Sequence, residues 1–379
     1  MAENNSFSPL ELYVHIPFCV KKCAYCDFLS APGTEELQQE YVKALLEEIR
    51  AERDEKKRPV TSVFIGGGTP SILDSRLMGQ ILEELEANFA VGQEAEVTIE
   101  ANPGTLSAGK LDTYRKCGVN RLSLGLQSTR NEELAVLGRI HSYDTFLESY
   151  HMSREAGFSN INVDLMFAIP EQTRENWQEN LRKVAGLGPE HISAYSLIVE
   201  DGTPFSKRNL NLPDEDTEYE MYEDTAEILG QYGYAQYEIS NYARNGYACR
   251  HNIGYWRRVD YLGLGLGASS FCGGVRYSNT DDLGFYLKNS GDYHKLQCNG
   301  ERLTEKDAMA EFMFLGLRMT EGISKAEFEK DFGTPIERIY GSVIEKYRRL
   351  GLLGECDGRI FLTRRGIHVS NTVMADFLI

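Results

Sequence analysis

Apolar positions recur with two distinct periods over the first two hundred residues. Short apolar runs at 12–16, 60–65, 97–100, 119–126, 161–166 and 191–197 read as strands. Leu37, Tyr41, Leu45 and Ile49 recur every four residues, as do Leu77, Ile81, Leu85 and Phe89, so each set marks one helix face. Helical patterns also fall near 106–117, 144–156 and 174–186. Strands that alternate with helices pair in parallel through right-handed crossovers. The expected class is α/β, either a barrel or partial barrel of βα units or a doubly wound open sheet. Periodicity alone does not separate these two. In both, functional side chains gather at the carboxyl ends of the strands.

Past residue 210 the texture changes. A break at Asn211-Leu-Pro-Asp214 precedes a helical stretch over 217–232, and 233–300 is rich in Gly, Tyr and Asn with few helical periods. From Thr304 helical patterns resume, with Phe312, Leu315 and Met319 on one stripe, and continue to Leu350. Two short apolar runs then flank Cys356-Asp-Gly358, a hairpin signal. Helices followed by a hairpin predict a small winged-helix-like C-terminal domain.

Composition narrows the function. The 379 residues carry 40 basic and 57 acidic side chains, a net charge of −17. That argues against a non-specific nucleic-acid surface and against binding to an anionic membrane. No uninterrupted apolar run is long enough to span a bilayer, and residues 1–9 are polar without an apolar signal core, so a cytoplasmic protein is expected. Eight cysteines in a chain this long do not make a disulfide scaffold. Five are scattered, whereas Cys19, Cys23 and Cys26 crowd into one loop directly after the first strand.

Three soft thiolates on one short loop can converge on zinc, copper(I) or an iron–sulfur cluster. A structural zinc site wants four ligands, usually as two pairs, and no second pair exists here. Three ligands to a four-iron cluster leave one iron open, and Lys21 and Lys22 would offset part of its negative charge. Three structural cysteines, or zinc with a distant fourth ligand, are the competing readings.

Tyr13-Val-His-Ile-Pro-Phe-Cys19, followed by Cys23 and Cys26, resembles the signature of the radical S-adenosylmethionine (SAM) superfamily. More narrowly, it resembles the branch that holds oxygen-independent coproporphyrinogen III oxidase and the haem chaperones related to it. The resemblance implies a partial (β/α)6 barrel and a [4Fe-4S] cluster on Cys19, Cys23 and Cys26. It also implies S-adenosylmethionine chelating the fourth iron and an electron donor for the cluster. It divides the chain into a radical SAM core (1–235), a haem-motif and glycine-rich connecting region (236–300) and a C-terminal domain like that of the oxidase (301–379).

Matching positions imply cofactor contacts from Tyr13, from Gly67, Gly68 and Thr69 in the Gly-Gly-Gly-Thr-Pro segment, and from Glu100, Gln127, Arg139 and Asp164. Tyr25, inside the cysteine loop, is a candidate to stack on the adenine. A polar residue at the end of each successive apolar strand, on the edge that carries the cysteine loop, makes this set coherent. Which residue would be catalytic is not legible.

Two features bear on the branch. Two residues after the third cysteine the oxidases carry a fourth cysteine, and here that position is Phe28. His251-Asn-Ile-Gly-Tyr255-Trp256 resembles the haem-binding motif of the haem chaperones, with His251 as the implied axial ligand and Cys249 as an alternative thiolate. The expectation is therefore a haem chaperone that delivers haem to an acceptor, such as a respiratory membrane protein. The alternative is a coproporphyrinogen III oxidase that acts by radical oxidative decarboxylation. Tyr261 to Ser270 alternates glycine without the dinucleotide spacing, and reads as backbone packed closely beside the cofactor cavity. Oligomeric state stays open, a cluster-dependent homodimer among the options.

Overall fold

The computed structural model describes residues 8–54 and 57–378. Of the polar stretch 1–9, only Ser8 and Pro9 fall within the described residues. Six strands pair in parallel: β1 (Leu10–Ile16), β2 (Pro59–Gly67), β3 (Ala90–Ala101), β4 (Arg121–Gln127), β5 (Ile161–Phe167) and β6 (His191–Ser196). They lie side by side in chain order with no reversal. A doubly wound sheet reverses its order at a switch point, so the sequential order selects the barrel-type βα arrangement.

The returning helices are α1 (Glu35–Ala51), α2 (Ser75–Asn88), α3 (Ala108–Lys116), α4 (Asn131–Leu137), α5 (Tyr143–Glu155) and α6 (Arg174–Leu187). Their starts follow capping chemistry: the side chains of Thr34, Asp74, Ser107, Ser142 and Thr173 each accept a hydrogen bond from a first-turn N–H.

Successive residues of each strand face opposite ways. Leu10, Leu12, Val14 and Ile16 join the core that α1 completes with Tyr41, Leu45 and Ile49. The alternate set, polar except for Phe64, faces the other side: Glu11, Tyr13 and His15 on β1, Ser62 and Phe64 on β2, Glu96, Thr98 and Glu100 on β3. Arg121 and Ser123 on β4, Asn162 and Asp164 on β5, and His191 and Ser193 on β6 continue it. Most of this polar face is buried.

The segment 236–300, expected to be a connecting region, is part of the sheet. After α7 (Glu215–Gln231), strands β7 (Ala235–Glu238) and β8 (Asn241–Ala243) add antiparallel beside β6. The short helix α8 (Arg250–Trp256) leads into β9 (Asp260–Leu264), which pairs in parallel with the outer edge of β1. Strands β10 (Ser269–Cys272), β11 (Val275–Asn279) and β12 (Gln297–Arg302) extend that edge. β9 and β8 take up the outer edges of β1 and β6, and the remaining strands pair in turn with them.

The C-terminal unit has its own hydrophobic core. It consists of the helices Glu305–Gly316, Lys325–Phe332 and Ile336–Arg349, a three-stranded antiparallel sheet built on the hairpin Leu353–Cys356 and Arg359–Leu362, and two short helices, Arg364–His368 and Ser370–Ala375. Asp357 and Gly358 turn that hairpin with positive φ at both positions (50° and 74°), as a two-residue turn of the primed type requires. The unit docks on the barrel edge through Thr320, whose N–H donates to the Tyr237 carbonyl (3.0 Å), and through an Arg364–Glu223 ion pair. Among the described residues no helix is long and apolar enough to cross a membrane.

Candidate functional site

The cysteine loop leaves β1 at Ile16 and is pinned along its length. The Gly68 N–H donates to the Ile16 carbonyl (2.9 Å) and the Thr69 N–H to the Phe18 carbonyl (2.7 Å). A Cβ on Gly68 would stand 2.5 Å from that same carbonyl, so only glycine allows the approach. Further along, the Ala24 N–H donates to Leu137 at the end of α4. Both ring nitrogens of His15 are engaged, Nδ1 with the Tyr13 hydroxyl (3.0 Å) and Nε2 with the Leu29 carbonyl (2.8 Å). His15 is thus not free to complete a zinc site. Among the described residues no group of three or more His, Cys, Asp and Glu side chains gathers around a single-ion site. The three thiols all line one open cavity, a donor set suited to a four-iron cube with one iron left open.

That cavity sits at the carboxyl ends of β1–β5. It brings together Cys19, Cys23, Cys26, Tyr25, Gly67, Gly68, Thr69, Glu100, Gln127, Arg139 and Asp164. Tyr13 stands one step aside, in an adjoining cavity that shares Phe28, Gly67 and Glu100. Glu100 accepts the Gly67 N–H (3.1 Å), and burial together with nearby Asp164 pushes its carboxyl up to about 8. Burial also raises Asp164, against hydrogen bonds from Asn162, Ser193 and Ser123. Arg139 is held in a fork: one Nη donates to Asn102 Oδ1 (2.8 Å) and to the Gly125 carbonyl, and the other reaches Cys23 Sγ (3.6 Å). Burial alone would lower its pKa, but Tyr25 and Cys23 raise it, so the guanidinium stays charged. Gln127 takes a positive φ (73°) where the β4 register shifts, a strained geometry that places it on the cavity wall.

The residues missed were the supports. Asn102 donates to Thr69 Oγ1 (2.7 Å) while accepting from Arg139, and so couples the glycine segment to the arginine. It stood in an Asn-Pro-Gly string that signals a turn. Ser123 donates to Asp164 (3.1 Å). The period-two polar positions of β4 and β5 were the signal that could have found it.

His251 lies apart from this cavity. Helix α8 packs against the polar face of the sheet, and His251 is 2% exposed. Its Nδ1 is 2.8 Å from Ser62 Oγ, its ring stacks on Phe64 at 5.1 Å, and Nε2 is buried without a partner among the described residues. Glu96 accepts N–H bonds from Arg250 and His251 at the start of the helix. Gly254 lies directly over the Glu11 carboxylate. His251 and Glu11 stand 3.8 Å apart, an ion pair by distance. Burial and then Arg121 lower the imidazole to about 3, and burial raises the carboxyl to about 8, so both are neutral near pH 7. Cys249, buried and 3.3 Å from Glu96, has its thiol pushed up to about 12 by burial, so it offers no thiolate.

A cysteine loop, a glycine segment and a fork of polar strand ends on a six-strand βα sheet define a radical SAM protein. The family described as the Radical SAM superfamily matches residues 13–184, and the HemN C-terminal domain family matches residues 303–369. A protein named heme chaperone HemW from Lactococcus lactis is 37% identical, covering 98% of each chain, and one of the same name from Escherichia coli is 36% identical with the same coverage. The solved coproporphyrinogen III oxidase HemN from Escherichia coli is 25% identical with a TM-score of 0.86, over 99% of this chain and 91% of that one. The chain belongs to the HemW family of the radical SAM superfamily.

Proposed function

We propose that this chain is a haem chaperone that binds haem and hands it to a haem-requiring acceptor, such as a respiratory membrane protein, in the cytoplasm. The observation that carries this reading is the full-length similarity to proteins named heme chaperone HemW. Phe28 supports it: 61% exposed at the cavity mouth, it occupies the position where the oxidases carry a further cysteine.

Cys19, Cys23 and Cys26 would hold a [4Fe-4S] cluster, and S-adenosylmethionine would occupy the rest of the cavity. An electron donor would be needed to reduce the cluster. When bound, the pair supplies the reductive sulfonium cleavage typical of the superfamily. Arg139, fixed by Asn102 and Gly125, is placed to pair with a carboxylate. Glu100 and Asp164, half-buried on the cavity wall, are suited to hold ribose hydroxyls or the amine, and Tyr25 to pack on the adenine. His251 can reach a haem iron only if α8 leaves the sheet, because its imidazole is enclosed in this structure.

Hemin titration of the purified protein tests the reading. Saturable binding with a shifted Soret band is expected, and an absence of binding would end it. An anaerobic assay of the reconstituted protein with coproporphyrinogen III is expected to yield no protoporphyrinogen. Substrate-dependent product would replace the chaperone reading with the oxidase.

A further inference from the structure

The consensus-like segment at 251–256 presents two faces. His251 points into the sheet, but Trp256 lines an open cavity between the end of α8 and the C-terminal unit. Phe312, Met319 and Ile323 supply its apolar walls. Arg257, Arg258, Lys330 and Arg359 line it too, against Glu321, Glu327 and Asp331. In a chain of net charge −17, a wall with more cations than anions is a local reversal.

Two further details point to a ligand. The Trp256 indole N–H is buried with no acceptor among the described residues, while Arg318 covers its ring at 4.3 Å. The Glu321 carboxylate sits between two guanidiniums, 2.6 Å from Arg257 and 3.3 Å from Arg359. Two arginines closing on one carboxylate form a carboxylate clip, filled here by the chain itself.

The other large cavities suit a planar dianion less well. The one beside Tyr13, Tyr255 and Tyr261 has no Lys or Arg in its wall. The one under Tyr195 and Tyr219 is lined by Glu215, Asp216 and Glu218, with only Arg318 and His368 opposing them.

We propose that the cavity at Trp256 is where the chain holds its tetrapyrrole cargo, a propionate of the ligand replacing Glu321 between Arg257 and Arg359. This rests on the haem-chaperone reading and adds the location. It needs no movement of α8, and it makes Glu321 an internal competitor that keeps the clip closed until an anionic macrocycle arrives.

The experiment titrates the full-length protein with hemin, and separately with iron-free protoporphyrin IX, at fixed salt. Wild type is compared with Glu321→Ala and with an Arg257→Glu, Lys330→Glu double variant. The substituted side chains are exposed, so folding should persist; circular dichroism checks this. Glu321→Ala should tighten both ligands several-fold, a direction that a damaged fold would not produce. The double variant should weaken both by about tenfold or more. Hemin dimethyl ester, which lacks free carboxylates, should bind all three proteins alike. Wild-type binding with both variants unmoved would overturn this location and leave the chaperone reading intact. Failure of the wild type to bind hemin would overturn both.

Discussion

Glu11 offers a test of the buried polar face that does not depend on any cofactor. Its carboxyl lies 3% exposed on β1, facing Ser62 on β2, Glu96 on β3, and His251, Gly254 and Tyr255 on α8. Burial, reinforced by Glu96 and only partly offset by Ser62, raises its pKa from 4.5 to about 8. Between these values the unfolded chain has released a proton that the folded chain keeps. Folded protein then binds more protons, so stability falls as pH rises. The contribution is complete below pH 4.5 and lost above about 8, which amounts to about 5 kcal/mol at this site.

Glu11→Gln keeps the shape and removes the titration. Urea unfolding of cluster-free protein at pH 5 and pH 8.5 is the assay. The two proteins should be close at pH 5, and the variant more stable by several kcal/mol at pH 8.5. Glu48 and Glu100, raised to about 7 and about 8, tilt both proteins equally, so the difference between them isolates Glu11. An equal fall in stability in both proteins would refute the neutral, buried carboxyl.

Gly254→Ala drives a Cβ into the Glu11 carboxylate and should cost about 1–3 kcal/mol in urea unfolding. Arg139→Lys cannot make the fork to Asn102, Gly125 and Cys23 together, so S-adenosylmethionine affinity by calorimetry should fall about tenfold. Cys23→Ala leaves two thiolates, and iron and sulfide content after anaerobic reconstitution should drop well below four per chain; full retention would contradict the ligand set.

Much of the barrel was legible because its outward-facing strand positions are apolar and its helices carry four-residue stripes. Expected helices at 174–186 and 144–156 lie within one residue of Arg174–Leu187 and Tyr143–Glu155. What stayed hidden has physical causes. α4 is seven residues long and too short to show a period. β9 depends on the edge of β1 some 250 residues away, a pairing that local sequence does not encode. β3 begins at Ala90, well before the apolar run at 97, because its first residues are half-solvated. Most of the polar residues singled out along the strands line one cavity, while Tyr13 and His251 lie outside it. The supports, Asn102 and Ser123, resembled a turn and an ordinary strand serine. The burial of His251 was not legible, because a polar inner face of a sheet reads in sequence like a solvated one.

The pairing of β9 with β1 has a consequence for how the molecule is made. Leu10 and Asp260 lie opposite each other, about 250 positions apart. During synthesis the strand that launches the cysteine loop keeps one edge bare until two-thirds of the polypeptide has left the ribosome. Metal loading on that loop, if it waits for a finished scaffold, is a late event in the life of the nascent chain. Truncations that stop before residue 260 should expose a sticky ribbon rather than a smaller working protein.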